Sequence, residues 1–113
     1  GQGDVLMSEI WVKESPKDLV AGAEPTYTIT LTGATTVSAS GATHEIYKNG
    51  GGSDLSSTLL SGSLSAAGNV LTLKKLVSLT GGNTYTNSVK CTVDGVVEVR
   101  KFDVIVQKAK DTQ

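Results

Sequence analysis

Two side chains well suited to chemistry near neutral pH occur once each in this sequence, the imidazole of His44 and the thiol of Cys91. A hydrolytic triad needs a nucleophile, a base and an orienting group within reach of one another, so one histidine allows one triad at most. No serine stands in the Gly-x-Ser-x-Gly elbow that would hold it strained toward a substrate. A transition metal would find one imidazole and scattered carboxylates, too few ligands to define a site. The 11 acidic residues are spread singly, without the alternating Asp, Asn and Gly of a calcium loop. Gly50-Gly51-Gly52 lacks the following Lys-Ser or Lys-Thr and the helix start of a phosphate cradle. Cys91 falls in a run of alternating apolar residues with Lys90 on the opposite face, which predicts a buried small hydrophobe rather than a reactive thiolate. His44 is expected as a surface or edge-strand histidine. Neither catalysis nor a cofactor nor a metal is expected.

Bulk composition narrows the partners. Ten Lys and Arg balance 11 Asp and Glu for a formal charge of −1, which supplies none of the positive field that nucleic acid binding requires. The apolar runs are too short for a membrane span, and no basic segment followed by an apolar one marks a signal peptide. A lone cysteine forms no internal disulfide, which fits folding in a reducing cytoplasm, although many bacterial surface sandwiches lack disulfides too. With 113 residues, one domain is the expectation, and an aromatic content of 4% means that Val, Leu and Ile must build its core.

The elements that would position these residues are strands. Tyr27, Ile29 and Leu31 alternate with threonines between Pro25 and Gly33, the period of two that a half-buried strand needs. A first strand over 8–13 ends at Ser15-Pro16, whose missing N–H places it at a sheet edge. Val37, Ala39 and then 43–48 form an interrupted stretch leading to the Asn49 to Gly52 loop, which is expected to be mobile. Residues 55–60 read as a short strand and 69–79 as a longer one with an irregularity at Lys74-Lys75. Tyr85, Val89, Cys91 and Val93 share one face, Asp94-Gly95 makes a hairpin turn, and Phe102, Val104 and Val106 share a face on the return. The spacing implies an all-β sandwich or small barrel, and the expectation is an immunoglobulin or fibronectin type III-like sandwich of seven to eight antiparallel strands over 8–107, between a flexible arm at 1–7 and a flexible tail at 108–113.

Leu79-Thr80-Gly81-Gly82-Asn83-Thr84-Tyr85 matches a tyrosine corner, with Leu79, Gly82 and Tyr85 in structural roles. Gly81-Gly82-Asn83-Thr84-Tyr85, Asp94-Gly95 and the stretch to Val106 with Arg100, Phe102 and Val104 together resemble small immunoglobulin-like virion proteins of tailed bacteriophages, of the fibre-to-tail adaptor type. The resemblance covers about the last third of the chain. The single Trp11 stands where that family is richer in tryptophan, and 42–67 is longer and richer in Gly and Ser, so tail adaptor and capsid decoration both stay open. What the resemblance implies is a non-enzymatic virion protein assembled in the host cytoplasm, contacting other tail, fibre or capsid proteins or further copies of itself, with no nucleic acid or membrane partner. Trp11, Asn49, Gly50 and Asp54 are the candidate contacts, Trp11 having the alternative of a core plug between sheets. A binding module of a bacterial surface adhesin is the alternative function. A carbohydrate module is disfavoured, because at least three of the five aromatics are expected to face inward.

Overall fold

A computed structural model describes residues 9–11 and 17–108, with side chains from 18 onward. Among these residues the chain forms nine strands and one helical turn: β1 Glu9–Trp11, β2 Lys17–Val20, β3 Thr26–Thr30, β4 Val37–Lys48, α1 Ser56–Leu59, β5 Leu60–Ser61, β6 Ser65–Ala67, β7 Val70–Leu76, β8 Asn83–Val93 and β9 Val96–Gln107. They make two facing sheets. One runs β1-β9-β8-β4 with β2 also on β9; the other runs β3-β7-β5 with β6 also on β7. The proposed arm at 1–7 and most of the proposed tail, 109–113, lie outside the described residues.

The strand count and direction differ from expectation. Nine strands form rather than seven or eight, and β1 and β2 run parallel to β9, pairing Glu9 with Val99 and Lys17 with Val104. Alternation tells which face a residue takes but not which way its neighbour runs, and the 12 residues of β9 leave an edge long enough for two short strands in series. Residues 55–60 form a helical turn and a two-residue strand instead of one strand. The Asp54 carboxylate accepts hydrogen bonds from the Ser56 N–H at 3.0 Å and the Ser56 hydroxyl at 2.7 Å, and Leu55 O accepts from Leu59 N. This local side-chain bonding curls the backbone before β pairing can extend it.

The core lies between the sheets. Ile46, Leu71, Leu76, Val89 and Val104 are fully buried, and Tyr27 meets Phe102 edge-on across the gap, ring centroids 5.6 Å apart at 80°. Such a ring pair contributes about 0.5–1.5 kcal/mol beyond its area. Two irregularities fit the strands together. β4 shifts register between Ser38 and Thr43, around Gly41, and the β3–β7 pairing gains one residue on β7 between Thr72 and Lys75. The second lets Leu73 and Leu76 both point inward although they are three apart. Asp94 and Gly95, with φ of 47° and 85°, close the β8–β9 hairpin as a two-residue turn needing left-handed backbone at both positions.

Candidate functional site

Apart from Trp11, the candidate residues fall into two groups toward one end of the sandwich. Tyr85, 1% exposed at the start of β8, sends its ring into the core while its hydroxyl accepts from the Thr80 N–H at 3.0 Å and lies 3.0 Å from Thr80 Oγ1. Leu79 is buried beside it, and the Gly82 N–H donates to Val106 O at 2.7 Å, tying the turn to the end of β9. Asn83 Nδ2 reaches Thr80 O at 3.2 Å and Thr80 Oγ1 at 2.7 Å. Five residues, Thr80, Gly82, Asn83, Tyr85 and Val106, thus hold this turn through hydrogen bonds within the chain.

Asn49 belongs to the same network. Its Nδ2 donates to Asn83 Oδ1 at 2.9 Å, and its Oδ1 accepts from the Thr84 N–H at 2.9 Å. Asn49 sits at φ 50°, a backbone state that asparagine tolerates better than most residues. Gly50 is exposed. Asp54 folds back over the outer edge of β4, where its Oδ1 accepts from the Ile46 N–H at 3.0 Å while the Leu55 N–H donates to Ile46 O at 2.8 Å. Burial raises the Asp54 carboxyl, but the Ser56 hydroxyl, the Ile46 N–H and the Ser56 N–H outweigh it and leave it below the ordinary value. The Asn49 and Asp54 side chains of the proposed contact loop are therefore engaged within the fold. The side chain of Trp11 lies outside the described residues; its backbone is on edge strand β1, opposite Lys101.

At the other end the Asp94 carboxylate gathers the Thr36 N–H at 2.9 Å and the Thr35 N–H at 3.0 Å, while the Asp94 N–H donates to Thr36 O at 3.0 Å. Next to it a cleft of about 310 Å³ opens between the sheets, lined by Leu31, Ala34, Val93 and Val96 with Glu98 and Arg100. Glu98 and Arg100 stand opposite Cys91 and Val89, on the inward face of β9, and pair at 2.5 Å. Sequence reading did not place this ion pair inside, although both residues share the parity of Phe102 and Val104.

His44 is not a surface residue. It lies on β4, the last strand of its sheet, but only 3% is exposed, because position 44 has the same parity as Ile46 and faces the other sheet. Its Nε2 is 2.8 Å from Oδ1 of Asn87, itself 0% exposed on β8. In the sequence Asn87 is marked only by the polar gap between Tyr85 and Val89 in an otherwise apolar alternation. Burial pushes the His44 imidazole down, against the Asn87 hydrogen bond. Cys91 is 3% exposed, and burial pushes its thiol up. On the outward face, the Tyr47 hydroxyl donates to Glu45 Oε1 at 2.5 Å, a bond that leads in pushing the phenol up to about 12.

Among the described residues no three His, Cys, Asp or Glu side chains converge as a metal centre requires, and no helix is long and apolar enough to cross a membrane. Comparison with family models, curated proteins and solved structures finds no match for this chain.

Proposed function

We propose that this chain is a non-enzymatic structural module of a tailed-bacteriophage virion, an immunoglobulin-like sandwich that acts through protein–protein contacts as a tail or fibre adaptor or a capsid decoration unit. The partition of strands is the observation that carries the fold half of the reading. β3 and β7 share one sheet with β5 and β6, while β4, β8 and β9 share the other. An immunoglobulin sandwich divides its second, fourth and fifth strands from its third, sixth and seventh in this way, with a tyrosine corner ahead of the sixth, where Tyr85 opens β8. The placement of β1 and β2 on β9 is the point of departure from the constant-type arrangement.

The virion half rests on the resemblance at 81–85 and 94–106, and on what the polar side chains do. Asn49, Asp54, Asn83, Tyr85 and Asp94 are engaged in holding turns, which is the work of a scaffold. Among the described residues β3 and β4 carry no strand along their outer sides, and β4 is partly covered by 54–55. Such edges offer backbone groups to a neighbouring virion protein or a second copy. Immunogold microscopy of particles with an antibody to this chain tests the proposal. Gold at a fixed place on the particle, tail or head, supports it; purified particles without label or chain overturn it.

A further inference from the structure

We propose that His44 and Asn87 form an acid-sensitive latch that holds strand β4 to its sheet, released when the imidazole takes a second proton. The geometry leaves that proton nowhere favourable to go. With Oδ1 of Asn87 facing Nε2, the ring donates from Nε2, and the remaining site is Nδ1, which is buried and has no hydrogen-bond partner. Protonation there creates a buried cation with an unpaired N–H, which the interior penalises twice. Exchanging the amide oxygen and nitrogen does not help, since an imidazolium Nε2–H would then face an NH₂ group.

The surrounding charges do not rescue the cation. From β7 in the facing sheet Lys74 opposes it; from the segment ahead of α1 Asp54 favours it, but that carboxylate is exposed and occupied by Ile46 and Ser56. β8 contributes the neutral groups Tyr85 and Cys91 to the inward face, and beyond Val89 in the same sheet Arg100 is paired with Glu98. On β4 itself, the neighbouring Glu45 belongs to the opposite face, bonded to Tyr47.

The strand that carries His44 is the one that can leave. β8 is held between β4 and β9, whereas β4 ends its sheet, and the segment at 54–55 is bonded to Ile46 and would travel with it. Burial holds the folded imidazole below the 6.5 of an open chain. The neutral form therefore contributes its full stability above about pH 6.5, and that contribution falls as the pH drops from there toward the folded value, by up to about tenfold in the folding constant per pH unit.

Because His44 is the single histidine, its ring proton resonance is unique in the full chain. We expect it to titrate below 6.5 in the folded protein. The β4 amides of Thr43, Glu45 and Tyr47 should exchange faster at pH 5.5 than at 7.5, after correction for intrinsic rates, while β8–β9 amides do not. Urea unfolding between pH 7.5 and 5.5 should show the slope in wild type and lose it in His44→Gln. A ring titrating at or above 6.5, β4 protection that ignores pH, or an unchanged slope in the variant overturns the latch. If His44→Gln does not fold, the wild-type titration and exchange decide the matter alone.

Discussion

The hydroxyl of Tyr85 accepts a hydrogen bond of 3.0 Å from the backbone N–H of Thr80, and the same ring is buried between the sheets at 1% exposure. One side chain thus couples the turn before β8 to the core. The two contributions separate by substitution. Tyr85→Phe keeps the ring and removes the acceptor, which should cost about 1 kcal/mol. Tyr85→Ala empties the site and should cost about 3–5 kcal/mol. Urea midpoints at constant slope measure both, and a Tyr85→Phe variant as stable as wild type would show that the bond contributes nothing.

Gly81 makes a closer approach than its neighbours. A Cβ there would stand 2.7 Å from Lys108 Cα and 2.8 Å from Gln107 O, both backbone atoms. Gly81→Ala should therefore force β9 and the turn apart and lose about 1–3 kcal/mol. Gly51→Ala meets nothing within 4 Å and has no positive φ, so it should leave stability unchanged or gain up to about 1 kcal/mol. Thermal unfolding of the pair tests the contrast, and equal losses would contradict it.

Asp94 has its carboxyl held below the ordinary 3.8 by the Thr36 and Thr35 N–H groups, against a smaller upward push from burial. The ionised form contributes stability above 3.8, and that contribution disappears as the pH falls through the lower folded value. Asp94→Ala should melt below wild type at pH 7, and the gap should narrow in acid as the wild-type carboxylate is protonated. A gap that stays constant from pH 7 down to strong acid would argue against it.

The Cys91 thiol combines 3% exposure with a pKa raised by burial. It should resist a thiol-specific disulfide reagent in the native protein at neutral pH and react promptly once unfolded in guanidinium. Rapid labelling of the folded chain, with no change in its circular dichroism, would mean that the thiol is accessible.

Much of the architecture was legible because alternation is a local property of the chain. Thr26–Thr30 and the two long strands around Asp94-Gly95 are written in a period of two, and the turn between them in residues that tolerate positive φ. Asp54 shows where local legibility stops. Its bonds to Ser56 are two residues away, yet they turn an apparent strand at 55–60 into a helical turn, since carboxylate and hydroxyl compete for backbone groups in a way that apolar spacing does not register.

By itself the sequence determined the class of structure, a chain of strands with Val, Leu and Ile inside. Tertiary structure alone decided which strands meet: β1 and β2 run parallel on β9, Glu98 and Arg100 pair at the mouth of a cleft, and His44 faces Asn87. The reason is physical. Periodicity records which side of a strand is apolar, whereas pairing direction and the company of a buried polar group depend on residues far apart in the chain, brought together only when the two sheets close.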